Sequence, residues 1–197
     1  ILYKAGAKSI VPYTTMLLKG TFLASKSSRD KYGMVTKYRL IPRQFGEYED
    51  EKCFEIEEVC VATNSLSFQE YLECRGFALI FAVFSSVQFD IVYRHLKELG
   101  INTYDFLMAV FETIKIDGNQ IADIYDQYLN EIEKELWDTG DDLVRYFSKT
   151  DNYAKLLSGE LGDNLIRKYR TILFIKYSPA LLDLAYKVIR NLVRKDK

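Results

Sequence analysis

The sequence predicts an α+β chain that is predominantly α-helical, in which a short β segment precedes a helical C-terminal domain. β-branched and aromatic residues form short runs before residue 65, whereas apolar residues recur at helical spacing after it. The 197 residues are 48% hydrophobic, with 12 Phe, 15 Tyr and three Pro, which excludes disordered and collagen-like chains. We therefore expect a β-rich segment at 1–65 and a helical domain at 66–197.

Three candidate strands account for the β segment. Residues 9–18 are a short apolar run, and residues 36–42 are rich in strand-forming types. Residues 54–63 alternate apolar and polar side chains and then change phase, which predicts a bulge or an edge position near Glu57-Glu58. The acidic residues 44–52 are interpreted as the turn of a hairpin between the second and third strands.

The helical part begins at a capping box made by Ser67 and Glu70. A long helical tract follows and ends at Leu99-Gly100, where the glycine is a typical helix stop. Its run 77–84 is apolar on all sides, which predicts a central helix, yet it falls well short of the roughly 20 apolar residues that a bilayer requires. Four more helices are predicted: at 103–115, after 117–120, at 151–176 with a break near Gly159 or Gly162, and from Ser178-Pro179.

The near-zero net charge of −1 hides strong segregation along the chain. Residues 1–49 carry +6, residues 50–111 carry −6, residues 112–142 carry −8, residues 143–162 carry +1 and residues 163–197 carry +6. We interpret this pattern as electrostatic docking between segments and solvated helix faces. The overall balance gives no reason to classify the whole chain as a nucleic-acid binder.

The sequence is poor in residues that carry chemistry. His95 is the single histidine, and Cys53, Cys60 and Cys74 have a spacing typical of neither a zinc ribbon nor a redox pair. We predict no catalytic residue and no metal ligand, a structural or surface role for His95, and buried or half-buried thiols. The odd cysteine count without a signal peptide favours a cytoplasmic location. The glycines form no phosphate-binding loop.

Charged residues of the β segment allow two interpretations. Residues 26–43 form a basic run with interleaved tyrosines, in which Lys37 and Arg43 are the candidate anion-binding residues. Glu55 and Glu57 share one strand face and could hold a metal ion or act in acid–base catalysis. Pairing of these carboxylates with Arg39 and Arg43 across the hairpin is the favoured interpretation.

One stretch resembles a known family. It comprises YTTMLLKGT (13–21), SRDKYGMVTKYRLIPRQFGEY (28–48) and FEIEEVCVATNSLSFQEYLECRGFAL (54–79). These segments resemble the region after the catalytic core of radical S-adenosylmethionine (radical SAM) proteins that also carry a cobalamin-binding domain. The similarity spans about residues 10–80, and the remaining helices match only in being helical.

The resemblance implies that the β segment is the end of a radical SAM barrel and that Arg39, Glu58, Asn64 and Arg75 lie near the barrel mouth. The parent protein would hold a [4Fe–4S] cluster, S-adenosylmethionine and, in cobalamin-dependent members, cobalamin. The cluster-binding motif C-x-x-x-C-x-x-C is absent from this sequence. This chain would therefore bind none of these cofactors and would be inactive alone.

The resulting hypothesis is a C-terminal accessory region that shapes substrate access in a radical SAM enzyme. The first residue, Ile1, is not Met, which favours a piece of a longer protein whose remainder is the main partner. One alternative is a helical protein–protein interaction module, and another is a nucleic-acid-binding domain that uses residues 26–43. An exposed N-terminal β edge also predicts a homodimer. No membrane association is expected.

Overall fold

The computed structural model describes residues 12–118 and 120–195. Within these residues, two strands form one antiparallel ribbon, and eight α-helices make up most of the remainder. The elements are α1 (Lys26–Tyr32), β1 (Val35–Tyr48), β2 (Glu51–Ala62), α2 (Phe68–Phe84), a 3-10 turn (Val87–Phe89), α3 (Asp90–Glu98), α4 (Thr103–Asp117), α5 (Gln120–Lys134), α6 (Gly140–Phe147), α7 (Thr150–Ser158) and α8 (Leu165–Lys195). The predicted class, α+β and predominantly helical, is confirmed.

The described residues form two compact units. The ribbon unit contains residues 13–74 and 130–165, and the helical unit contains Pro12 and the described residues within 75–129 and 166–195. Each unit thus combines an early and a late part of the chain, because α2, α5 and α8 pass from one unit to the other. The predicted domain boundary between residues 65 and 66 stays a prediction.

The ribbon confirms the predicted hairpin but has a much shorter turn than the acidic stretch 44–52. Only Glu49 and Asp50 separate β1 from β2, and both adopt left-handed backbone conformations, with φ of 51° and 66°. Two consecutive left-handed residues match the right-handed twist of the flanking strands. Most of the residues assigned to the turn are therefore paired strand residues.

The bulge predicted at Glu57-Glu58 is wrong. Both glutamates pair in regular register with β1, and the register shifts lie instead between Val35 and Thr36, opposite Cys60 and Ala62, and between Leu40 and Phe45. The sequence pattern changes phase because Val59, Cys60 and Val61 are all buried, on both faces of the ribbon. Coverage of both faces removes the alternation, and the register shift opposite Val35 and Thr36 leaves Val61 without a paired residue on β1.

The first candidate strand, 9–18, is not a strand in the part that the structure describes. Residues 9–11 lie outside the described residues, and the rest makes one isolated antiparallel bridge, from Met16 to Val59. Two helices in the chain were not predicted, α1 and α6. α1 has seven residues and α6 has eight, so each is too short for its apolar spacing to be distinguished from a loop by the sequence pattern.

The long helical tract predicted from Ser67 to Leu99 is broken after Phe84, where the 3-10 turn separates α2 from α3. The capping box is confirmed: the Ser67 hydroxyl accepts from the Glu70 amide at 3.2 Å, and the Glu70 carboxylate accepts from the Ser67 amide at 2.7 Å. The predicted break near Gly159 and Gly162 is also confirmed, since α7 ends at Ser158 and α8 starts at Leu165.

The predicted start of a new helix at Ser178-Pro179 corresponds to a kink within α8. Tyr177 has non-helical angles (φ −127°, ψ 16°) because the following proline ring cannot continue a straight helix. Ser178 does not act as an N-cap there. Its hydroxyl donates back to the carbonyl of Phe174, which bonds the two sides of the kink.

The core of the ribbon unit is a small cluster under one face of the hairpin. Its buried members are Leu40, Leu143, Phe147, Tyr153 and Leu156. Phe45 and Phe54 of the strands meet the Tyr153 ring edge-on, with centroids 6.0 and 6.1 Å away. Edge-to-face contact is the favoured geometry for aromatic rings, so α6 and α7 dock on a defined part of the ribbon.

The helical unit has a larger aromatic core. The run 77–84 is largely buried, as predicted, and Phe84 contacts Phe89 and Phe106 with ring centroids 4.7 and 6.0 Å apart. His95 lies against Tyr186 and within 3.3 Å of the Glu98 carboxylate, a structural position. Among the described helices, none is by itself long and apolar enough to span a membrane. Only α2 and the segment Val87–Glu98, taken together, have the length and apolar composition of a span, and they are bent by 67°.

Candidate functional site

The candidate site is the surface around the N-terminal end of the ribbon unit. Residues 13–23, the edge segment, run along the outer edge of β2. The Leu17 amide donates to the Glu58 carbonyl at 2.9 Å, and the Cys60 amide donates to the Thr15 carbonyl at 2.9 Å. These two bonds pair the β2 edge over residues 58–60, so the β edge that predicted a homodimer is occupied there by the chain itself.

The edge segment leaves large apolar side chains in solvent. Tyr13 is 85% exposed, Phe22 is 81% exposed and Leu18 is 60% exposed. Met16 and Leu23 of the same segment are also exposed by more than a third, as are Tyr32 at the end of α1 and Val35 at the start of β1. A run of large apolar side chains at the surface is typical of a protein interface rather than of a free surface.

A bidentate ion pair fixes α1, and Ala24 directly after the edge segment, to β2. The Arg29 guanidinium donates from both terminal nitrogens to the Glu58 carboxylate, at 2.5 and 2.8 Å, and from Nε to the Ala24 carbonyl at 3.0 Å. The Thr36 hydroxyl also donates to Glu58, at 2.7 Å. These hydrogen bonds, that of Arg29 above all, lower the pKa of Glu58 against the opposing effect of burial.

A second ion-pair cluster lies on the adjacent part of the ribbon. Arg39 Nε donates to Glu57 at 2.5 Å, and Arg39 Nη1 donates to Glu135 at 3.1 Å. Burial works to lower the pKa of Arg39, but the charges of Glu135 and Glu57 outweigh it and raise that pKa. The predicted pairing of Arg39 with Glu57 is confirmed, and the participation of Glu135 was not foreseen.

The two candidate anion-binding residues are also paired. Lys37 bonds to Asp138, and Arg43 makes two hydrogen bonds of 3.1 Å to Asp163. Arg43 therefore does not pair with Glu55, as the sequence had suggested, and Glu55 is exposed. Because of these ion pairs, an incoming phosphate would have to displace a carboxylate at either cation.

Asn64 forms two hydrogen bonds with the end of α1. Its amide nitrogen Nδ2 donates to the Lys31 carbonyl at 3.2 Å, and its backbone amide donates to the Tyr32 carbonyl at 2.9 Å. Its side-chain oxygen fills the space beside Gly33, where an added Cβ would come within 2.0 Å. Gly33 also has a left-handed φ of 56°, so glycine is required there twice over.

Arg39, Glu58 and Asn64 all belong to the ribbon unit, whereas Arg75, the fourth candidate, begins the helical unit. The Arg75 carbonyl accepts a hydrogen bond of 3.1 Å from the buried Tyr128 hydroxyl. Sequence reasoning missed Arg29 as the partner of Glu58, and it missed Phe22 and Leu18 as surface residues. The apolar content of residues 13–23 was the available signal, but a buried strand explains it equally well.

The chain offers few groups for a metal or a cofactor. In the described ranges, no three His, Cys, Asp or Glu side chains lie close enough together to hold a metal ion. The three cysteines are free thiols, but Cys53 and Cys74 are exposed rather than buried, so their predicted burial is wrong. Cys60 is buried, and this burial raises the pKa of its thiol.

Comparison with known proteins adds no family to this geometry. No protein-family model matches the chain. No curated protein matches it either.

Proposed function

We propose that this chain is the C-terminal accessory region of a radical SAM enzyme of the cobalamin-dependent type, and that it shapes access to the active site of that enzyme. The chemistry would belong to the parent's cluster, S-adenosylmethionine and cobalamin. The sequence segments 13–21, 28–48 and 54–79 supply the family resemblance. The exposed apolar edge segment is the structural observation that carries the proposal.

The edge segment supports a docking role because it is held in place and yet uncovered. Arg29 and two backbone bonds fix it to β2, so it presents a preformed surface. Tyr13, Leu18 and Phe22 nevertheless remain mostly in solvent. Covering such side chains would contribute about 25 cal/mol per Å² of apolar area, a strong reason for another protein surface to pack there.

The ion pairs favour this role over nucleic-acid binding by residues 26–43. Lys26, Arg29, Lys37, Arg39 and Arg43 each face a carboxylate of the same chain. Nucleic-acid affinity depends on cations that are free to neutralise phosphates. An oligonucleotide that bound at low salt with affinity lost in Arg43→Ala would favour the alternative.

The first experiment reads the parent gene. The coding sequence upstream of Ile1 should encode a C-x-x-x-C-x-x-C motif within a barrel-forming region, and its absence would overturn the radical SAM assignment. The second experiment expresses that upstream polypeptide separately and measures its binding to this chain.

We expect Phe22→Asp to weaken that binding by about tenfold or more, because a charge would enter an apolar contact. Leu157→Asp is the matched control, since Leu157 is 67% exposed in the same unit but lies outside the edge segment. Equal loss in both variants, or no binding of the upstream polypeptide to the unaltered chain, would contradict a docking role for this segment.

A further inference from the structure

The helical unit contains an open groove between the C-terminal turns of α4 and the last turns of α8. Its volume is about 430 Å³, in the range of sites that bind other molecules. The apolar lining comes from Ala109 and Ile116 of α4 and from Val188 and Leu192 of α8. The groove is therefore a helix–helix surface with aliphatic walls.

Ile116 is unusual on this surface because 78% of it is exposed. It lies one residue before the end of α4, and Gly118 follows as the left-handed residue after the helix. Ile116 thus lines the groove and also projects from it, so this face carries an exposed aliphatic side chain together with an aliphatic depression.

The charges that line the groove balance. Asp117 pairs with Lys187 across it, and Glu112 and Arg194 supply one further charge of each sign. Glu112 lies 3.9 Å from Lys115 on an exposed surface, and within the described residues Arg194 makes no ion pair. The lining thus has no net charge, and Glu112 and Arg194 are an acid and a base that take no part in the Asp117–Lys187 pair.

We propose that this groove is the interface between two copies of the chain, related by a two-fold axis, in which Ile116 of each copy enters the groove of the other. A two-fold interface uses the same patch on both copies, so the patch must be complementary to itself. A projection beside a depression satisfies this requirement in shape. One acid and one base satisfy it in charge, because Glu112 of one copy faces Arg194 of the other.

The charge balance distinguishes this surface from the exposed face of α5. Asp123, Asp126 and Glu133 are exposed there, and a second copy would bring like charges together. The proposed dimer is also separate from the edge segment, which belongs to the ribbon unit. It stands without the radical SAM assignment.

Sedimentation velocity of the full chain over a wide concentration range tests the proposal. We expect a reversible monomer–dimer equilibrium, and we expect Ile116→Asp to raise its dissociation constant by about tenfold or more. Ile175→Asp is the matched control, since Ile175 is 77% exposed in the same unit but outside the groove lining. Both variants replace exposed side chains, and their unfolding midpoints in urea show whether each remains folded.

A charge exchange gives the second test. Arg194→Glu should weaken the dimer by placing two acids together, and the double variant Glu112→Arg with Arg194→Glu should restore it. A chain that stays monomeric at all concentrations overturns the proposal, as does equal weakening by the Ile116 and Ile175 variants. A dimer disrupted by Phe22→Asp and not by Ile116→Asp also overturns it, and assigns self-association to the edge segment instead.

Discussion

Different kinds of interaction stabilise the ribbon unit and the helical unit internally. In the ribbon unit, a small aromatic cluster is supplemented by part-buried ion pairs between elements far apart in the sequence, such as Arg39 with Glu135. In the helical unit, fully buried rings such as Phe84 and Tyr128 dominate, and ion pairs such as Lys187–Asp117 lie near the surface. A two-stranded ribbon buries too little apolar area to be stable alone, so specific polar contacts have to fix what docks against it.

The largest effect is expected from a deletion in the aromatic core. Phe84→Ala removes a fully buried ring that contacts Phe89 and Phe106, and should lower the free energy of unfolding by about 3–5 kcal/mol. Urea denaturation measures this decrease in the free energy of unfolding. Ile175→Ala, on the exposed surface of the same unit, should stay within about 0.5 kcal/mol of the unaltered chain. Similar losses in the two variants would show that buried rings do not dominate this unit.

In the ribbon unit, Glu58→Ala should cost about 1.5–3 kcal/mol, because the part-buried Arg29 loses a charged hydrogen-bond acceptor. The same change releases the edge segment, so limited proteolysis should cut within residues 13–25 faster. Glu55→Ala is the matched control, since Glu55 lies on the same strand and is exposed. Unchanged cleavage in Glu58→Ala would mean that the two backbone bonds suffice to hold the segment.

The same carboxylate gives the ribbon unit an acid-sensitive contact. The folded pKa of Glu58 is lowered, so its contribution to stability is complete above the ordinary glutamate pKa of about 4.3 and is lost as pH falls through the folded pKa. We expect the stability of Glu58→Gln to fall less steeply with acid in this range. Urea denaturation at several pH values measures the free energy of unfolding of both proteins. An equal decrease with acid in Glu58→Gln and in the unaltered chain would contradict this assignment.

The smallest effect is expected at Arg43. Its two hydrogen bonds to Asp163 are at the surface, so Arg43→Ala should lower the free energy of unfolding least of these variants, and less still at high salt. Urea denaturation at low and high ionic strength measures the difference. A loss comparable to that in Glu58→Ala would mean that exposed and part-buried pairs contribute equally to this unit.

The sequence predicted the elements whose signals are local. The hairpin, the Ser67–Glu70 capping box and the break near Gly159 follow from periodicity, capping chemistry and glycine placement. Even the unpredicted helix α1 has local signals, since Ser25 caps it and Gly33 ends it. The residues between these two signals are mostly polar, so no apolar periodicity accompanies them.

Contacts between residues far apart in the sequence could not be predicted from local patterns. Glu135 is 96 residues from Arg39, and Asp163 is 120 residues from Arg43, so nothing near either arginine identifies its partner. The same applies to the candidate surface. The apolar residues 13–23 indicate burial. Only the structure shows that their backbone bonds to β2 while the side chains of Tyr13, Leu18 and Phe22 remain exposed to solvent.

The two-residue turn at Glu49-Asp50 has a consequence for the order of folding. Strand residues next to it are close in sequence, so the loop to be closed is minimal and the hairpin can form within microseconds. The bonds from Tyr38 to Trp137 and from Arg43 to Gly162 close loops of about 100 residues or more and must follow later. Replacing Glu49-Asp50 with Asn-Gly, which prefers this turn, should therefore accelerate hairpin formation while leaving those late contacts unchanged.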